Sequence, residues 1–353
     1  MKKIFSLPLN PKLNQSQFND FCNFVKHHKD YIYDVYATIR IPPFIQDAMG
    51  DIFEEDLDAL VENALVVQKG TGVNVSATFN NISIRPTETN LATFIKHFTP
   101  LYEAGIKSIT LPFTSWVLTG ELQRKFPDLY IKNTILKSVN TAADVAKQAE
   151  SGFHYINIDR DLMRNRDELE KIKRVKEKYN ITIALLANES CLGSCPIMDE
   201  HHHFNNTREA HTPSFFMDQI SRISCSKWDI TDPVTPLKTA NIPPWKKDWD
   251  ELLEFVDVFK MHGRESIGQL SDSINIIDNY INDNEILFND FNKYIATTKL
   301  EKGILAWRQF IKNCKFDCWD CDKCDKLYEA KNGKRTPDKR DIILENICTA
   351  YLD

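Results

Sequence analysis

The sequence predicts an α/β protein whose main body is a closed (β/α)8 TIM-like barrel. Short apolar runs alternate with amphipathic helical stretches eight times along the chain, which is the count of a closed parallel barrel. No strand runs into a G-x-G-x-x-G turn, the feature that a dinucleotide-binding open sheet would carry. A chain of 353 residues, 42% hydrophobic and 27% charged, has material for a barrel-sized core and an appended segment. The expected division is a barrel over 1–285 and a helical, cysteine-rich extension over 286–353.

Taken in order, a helix over Gln15 to His28 precedes an apolar strand at Ile32 to Arg40, a helix over Glu54 to Lys69 and a strand at Val73 to Phe79. The helix over Leu91 to Ala104 ends at Gly105, a stop signal, before the strand Ser108 to Pro112. Trp116 to Lys125 turns back to a strand at Leu129 to Leu136. Asn140 and Thr141 open a helix that Gly152 closes, and Tyr155 to Asp159 follows. The charged helix Arg166 to Tyr179 leads to the strand Ile181 to Glu189. The seventh strand is expected at Leu237 to Asn241, before Pro243, Pro244 and a helix from Lys246 to Phe255. Val258 to His262 is the eighth, with a helix over Arg264 to Asn282.

The net charge of -6 excludes a general basic field of the kind that holds nucleic acid non-specifically, while leaving room for a local basic patch. The N-terminal apolar run is broken by Pro8 and Pro11 and is too short for a secretory leader. No stretch approaches a membrane span. A cytoplasmic address is therefore expected, where the nine cysteines stay reduced and serve metals or chemistry.

The strand ends that a barrel gathers on its active face are Arg40, Asn80 and Asn81, Asn133, Asp159 and Arg160, Asn188 and Glu189, and His262 and Arg264. Each alone suits a turn. Together they make a pocket for a polar or anionic substrate, with Arg40, Asp159, Arg160, Asn188 and Arg264 as binding groups and Glu189 and His262 as movers of protons.

Two stretches point to a metal. The strand after Tyr179 breaks into Cys191-Leu-Gly-Ser-Cys195-Pro, followed by His201, His202 and His203. A loop loosened by Gly193 and stopped by Pro196 lets both sulfurs face one centre. Cys225 supplies a third thiolate if the following loop folds back. A buried cysteine is often only a small apolar group, and Cys22 and Cys348, in helical patterns, read that way. In the tail, Cys314, Cys318, Cys321 and Cys324 fall within eleven residues interleaved with Lys and Asp, a pattern no apolar core segment shows. Zinc and a 4Fe-4S cluster both accept four thiolates, so one or two clusters, or zinc, are expected. The first three tail cysteines have the C-x3-C-x2-C spacing of radical S-adenosylmethionine enzymes, but there the motif follows the first strand, whereas here it follows the last helix.

The run KNTILKSVNTAADVAKQAESGFHYINIDR, then DLMRNRDELEKIK, LLANESCLGSCP with its histidines, Cys225 and FKMHGR resemble the collagenase-like peptidases, the U32 peptidase family, over about Ile32 to Tyr280. The resemblance implies a TIM-like barrel and, despite the family name, iron-sulfur proteins supporting oxygen-independent hydroxylation of quinone precursors or RNA bases. It implies cluster ligation by Cys191, Cys195 and Cys225 with a tail thiol. The spacing departs from that of the hydroxylation members. Three classes of function follow: a cluster-dependent oxidoreductase or hydroxylase acting on a small polar or anionic substrate or RNA; a peptidase, although no H-E-x-x-H or G-x-S-x-G motif is present; and a metal-stabilised partner of another protein of the same family.

Overall fold

The structure, a computed structural model, describes residues 2–45, 55–198, 200, 234–264, 266–297 and 301–333. Eight parallel strands close into a barrel in chain order: β1 (Phe5–Pro8), β2 (Ile32–Thr38), β3 (Val75–Thr78), β4 (Ser108–Leu111), β5 (Tyr130–Asn133), β6 (Tyr155–Ile158), β7 (Thr182–Leu186) and β8 (Val258–Lys260). Closure is made by β1, which pairs with β2 on one side and β8 on the other. Around them run α1 (Gln15–His27), α2 (Glu55–Thr71), α3 (Glu88–Glu103), α4 (Thr114–Leu118), α5 (Glu121–Lys125), α6 (Ala142–Glu150), α7 (Arg166–Tyr179), α8 (Lys246–Leu252) and α9 (Ile267–Ile281). Three more helices follow, α10 (Asp290–Ala296), α11 (Glu301–Ile311) and α12 (Lys323–Asn332).

The barrel is the predicted one, but two of its elements are reassigned. The expected seventh strand, Leu237 to Asn241, is instead a 3-10 turn over Thr235–Lys238 leading into loop, because Pro236 opens the turn and lacks the N–H a ladder needs. Only Thr239 touches extended chain there, in an isolated antiparallel bridge to Leu192. The missing strand is β1, in the N-terminal run that Pro8 shortens. Four residues suffice because Phe5 and Leu7 are wholly buried and the ladder continues past Pro8, where Leu9 N–H donates to the Tyr36 carbonyl at 2.9 Å.

The helices start where the chain offers side-chain caps. Asn14 and Gln17 form a reciprocal capping box at α1, and Thr87, Thr141, Asn165 and Ser266 each accept a backbone N–H at the start of α3, α6, α7 and α9. Alternate strand residues such as Val35, Ile109, Ile131, Ile156 and Leu185 face these helices and share one core with Phe21, Phe94, Phe98 and Ile172. The other set faces the lumen. Branched apolar residues usually fill it, but here it holds buried Ser6, Asp34, Ser76, Ser108, Lys132 and Lys260. The ion pair between Lys132 of β5 and Asp34 of β2 joins strands that are not neighbours, so it crosses the barrel. Tyr155, Ala184 and Val258, with Tyr33 and Tyr130 against them, plug the N-terminal end.

A second small core, with Phe291, Ile295, Trp307, Ile311 and Leu327, joins α10, α11 and α12 to Val234 and Leu237. Its attachment to the barrel is polar. Arg308 donates to both oxygens of Asp248 at 2.5 and 2.6 Å, and the two residues are 9% and 4% exposed. Burial raises the Asp248 carboxyl above its ordinary range against the pull of Arg308. Among the described residues no helix is long and apolar enough to cross a membrane.

Removing one partner of such a buried pair strands the other charge. Arg308→Met is expected to lower unfolding free energy by about 3 kcal/mol in urea titration, and adding Asp248→Leu to restore most of that loss. A double variant as unstable as the single would show that the pair itself, not the stranded carboxylate, carries the effect.

Candidate metal centre

The 3-10 turn over Arg160–Arg164, directly after β6, positions the site. Asp159 caps it, accepting the Asp161 N–H at 2.9 Å. The turn carries two arginines four residues apart, and both are buried, at 2% and 1% exposure. They serve opposite sides. Arg160 turns to the loop after β7, pairing with Glu189 at 2.5 Å and donating to the Cys191 sulfur at 3.0 Å and the Met198 sulfur at 3.4 Å. Burial works against its charge, but Glu189, Cys191 and Asp159 more than offset this and hold the guanidinium cationic.

Arg164 turns to the tail. Its Nη1 donates to the Leu237 carbonyl at 3.0 Å, and its guanidinium lies 5.1, 5.3 and 5.9 Å from the rings of Phe316, Phe291 and Trp307. The Nε and Nη2 atoms are buried with no partner in hydrogen-bonding geometry, although the Cys314 thiol lies near enough to act on the guanidinium as a hydrogen-bond partner. Among the described residues no carboxylate stands at ion-pair distance. Burial lowers its pKa, and the groups that act most strongly in the opposite sense are Cys324 and Cys314.

Those two thiols belong to a cavity of about 160 Å³ that Arg164, Lys238, Cys314, Cys318, Cys321 and Cys324 help to line. All four tail cysteines therefore face one space. Burial pushes the Cys324 thiol up to about 11, with Arg164 pulling the other way, and burial also raises Cys318. A metal taken up here displaces protons from the thiols. Among the described residues no three Cys, His, Asp or Glu side chains already stand close enough together to grip a single ion.

A larger cleft of about 580 Å³ adjoins this cavity, lined among others by Asp159, Asp161, Ser194, Cys195, Met198, Cys314 and Phe316. Cys314, Lys315 and Phe316 line both. The thiol loop is thereby joined to the tail. Ser194 N–H donates to Asp161 at 2.7 Å, Gly193 N–H donates to the Lys238 carbonyl at 3.2 Å, and a Cβ on Gly193 would fall 1.9 Å from the Phe316 ring. Glycine is needed because the ring occupies the space of a side chain. Burial raises the Asp161 carboxyl to about 6, with the Ser194 N–H opposing.

The structure thus unites the tail quartet and brings Cys195 to the cleft beside Cys314, while Cys191 lies 7% exposed under Arg160 and lines neither space. Cys225, the three histidines and Cys348 lie outside the described residues. Cys22 packs, partly buried, against the barrel core. Among the strand-end residues, Asn188 ties β7 to β8: its oxygen accepts the His262 N–H at 2.7 Å and its nitrogen donates to Ser273 at 3.0 Å. Asn133 is interlocked with Asn157, accepting that residue's N–H at 2.5 Å. Arg264 donates to Thr38 at 2.9 Å, and Arg40 is half-buried beyond β2. Gly263 has φ +147 and lies so close to α9 that a Cβ would stand 2.8 Å from Leu270 Cα, which accounts for the glycine of the MHGR strand end. Sequence reasoning missed Arg164 and Asp161. The usable signal was the second arginine four residues after Arg160, among Leu162 and Met163.

The fold and site define a (β/α)8 barrel with a cysteine-lined cavity held against the turn after β6. No family model matches the chain, and no curated protein matches it. Similar solved structures include the U32 peptidase Mk0906, at 13% identity and TM-score 0.48 over 75% of this chain and 94% of that one. A dipeptide epimerase from Methylococcus capsulatus complexed with magnesium is 17% identical, with TM-score 0.34 over 53% of this chain and 49% of that one. A muconate lactonizing enzyme is 12% identical, with TM-score 0.36 over 59% and 52%.

Replacing Gly193 by Ala is expected to cost about 1–3 kcal/mol of stability, the range for overpacking a filled space, and to speed reaction of Cys314 with a thiol reagent as Phe316 is displaced. Unchanged stability and unchanged Cys314 reactivity would show that loop and tail do not meet in this way.

Proposed function

We propose that the chain is an iron-sulfur enzyme whose tail cysteines, Cys314, Cys318, Cys321 and Cys324, hold a cluster beside the cleft at the C-terminal end of the barrel. It would carry out redox or oxygen-independent hydroxylation chemistry on a polar or anionic substrate, a quinone precursor or an RNA base being the classes the motif resemblance implies. One observation carries the metal reading: a fully buried guanidinium, with two nitrogens lacking a partner in hydrogen-bonding geometry and the Cys324 and Cys314 thiols as the groups that most favour its charge, lines a cavity with four cysteines. Leaving such donors unmet inside a protein costs about 1–3 kcal/mol each. Thiolates bound to metal supply the missing negative charge.

Four sulfurs around one space suit a 4Fe-4S cluster and also suit zinc. A bound cluster would supply electrons or an open iron as Lewis acid. The chain's own contribution is positional. Arg164 neutralises the thiolates from below, while Phe291, Trp307 and Phe316 keep water from the guanidinium. Asp159, Asp161 and Lys315 offer hydrogen-bonding and charged groups to a molecule in the larger cleft. Of the residues expected to move protons, Glu189 is paired to Arg160, which favours a structural part for it; Asp161, on the cleft with its carboxyl raised by burial, suits proton transfer better.

Oxygen-free protein is expected to contain iron and acid-labile sulfide and to absorb in the visible range. Cys321→Ala should lose most of the iron, and Cys191→Ala should retain it. Zinc without sulfide in the parent protein would overturn the cluster, and full iron in Cys321→Ala would overturn the tail as its ligand.

A further inference from the structure

The barrel lumen is short of negative charge. Asp34 is engaged by Lys132 from across the barrel and by the Ser6 hydroxyl, and at the mouth Glu189 is paired with Arg160. That leaves Lys260, the last residue of β8, 7% exposed. Among the described residues its amine has neither a hydrogen-bond acceptor nor a carboxylate at ion-pair distance. It lies 4.7 Å from the centre of the Tyr36 ring, and the Arg264 guanidinium lies 5.6 Å from the same ring. Arg264 uses one nitrogen on Thr38, so most of its forked donors remain for a ligand.

The surroundings act on the amine mainly in one direction. Burial, Arg264 and Lys132 bring its pKa down to about 7, against the opposing pull of Asp34 and Glu189. A lysine desolvated beside other cations is the arrangement that frees an amine lone pair near neutrality. Its place at the C-terminal end of a barrel strand is where such folds work on their substrates.

We propose that Lys260 is a carbonyl-reactive amine that forms an imine with a 2-oxo acid, whose carboxylate is received by Arg264. The lysine nitrogen attacks the carbonyl carbon, forming a C–N bond as the C=O π electrons move to oxygen. That oxygen takes a proton shed by the nitrogen. The resulting carbinolamine expels its oxygen as water with the second nitrogen-borne proton, leaving C=N. One water is released, and no redox partner is required. The carboxylate supplies the anion that the lumen lacks. The inference concerns the lumen and stands apart from the cysteine-lined cavity.

The test treats the intact protein with pyruvate and sodium borohydride, which reduces an imine to a stable secondary amine, and locates the adduct by peptide mass spectrometry. The adduct is expected on Lys260 and is expected to be absent in Lys260→Arg, which keeps the charge and has no competent amine. Circular dichroism checks that this variant folds. Labelling should reach half its maximum near pH 7, whereas surface lysines follow an amine pKa of about 10.4. Arg264→Gln should weaken labelling by pyruvate about tenfold and leave labelling by acetone, which has no carboxylate, nearly unchanged. Labelling spread over surface lysines, or undiminished in Lys260→Arg, overturns the proposal. Equal loss for pyruvate and acetone in Arg264→Gln overturns the carboxylate assignment.

Discussion

A charge buried without its counter-ion constrains everything around the turn after β6. Arg160 and Arg164 leave that turn four residues apart and enter the interior on opposite sides. Arg160 finds Glu189 and the Cys191 sulfur there, so the loop after β7 is fixed by an ion pair in a dry environment, where such a pair holds only if its geometry is good. Arg164 finds aromatic faces, one carbonyl and four thiols. The same short segment therefore sets the position of the thiol loop and the polarity of the tail cavity, and neither can shift without exposing a guanidinium to an unsatisfied interior.

The tail is then held by contacts that leave little freedom. Arg166 N–H donates to the Lys312 carbonyl at 2.9 Å, Asn165 and Asn313 form a bridge, and Phe316 takes the place of a side chain on Gly193. Together with the pair between Arg308 and Asp248, these contacts dock α11 and the chain after it against the barrel's C-terminal rim. These protein contacts place the four tail cysteines around one cavity next to the cleft.

How much of this could be read beforehand follows from where the information sits. Seven strands were legible because each is a short, largely apolar run set between helical stretches of the sequence. The eighth was not. Phe5–Pro8 is four residues ending in proline and gains its strand character from closing the barrel between β2 and β8, a long-range effect with no local signature. The segment around Leu237 misled for the reverse reason: its apolar residues are buried against α10 and α11, not in the sheet. Cysteine spacing singled out four tail residues that the fold places around one cavity. The same spacing at Cys191 and Cys195 did not reveal that one sulfur lies under an arginine, because the partner comes from the turn after β6.

The lumen was the least legible part, and the reason is geometrical. In YIKN and VFKM a lysine in a strand looks like a residue facing solvent on an alternating strand, but every strand of a closed barrel has helices on its outer face and other strands across its inner face. A charged residue on the inner set has no water to reach. Lys132 resolves this with Asp34; Lys260 lies against the Tyr36 ring, where Arg264 and Lys132 oppose its charge more strongly than Asp34 and Glu189 favour it. Among the described residues Arg164, beside the cysteines, and Lys260, in the barrel, are buried without a carboxylate at ion-pair distance, although the net charge of the chain is -6. Excess acid elsewhere on the chain does nothing for them, since solvent screens surface charges within about 10 Å. Neutralising charge has to arise inside the site itself, which is the common ground of the two proposals: deprotonation of the chain's own thiols beside Arg164, and entry of a carboxylate beside Lys260.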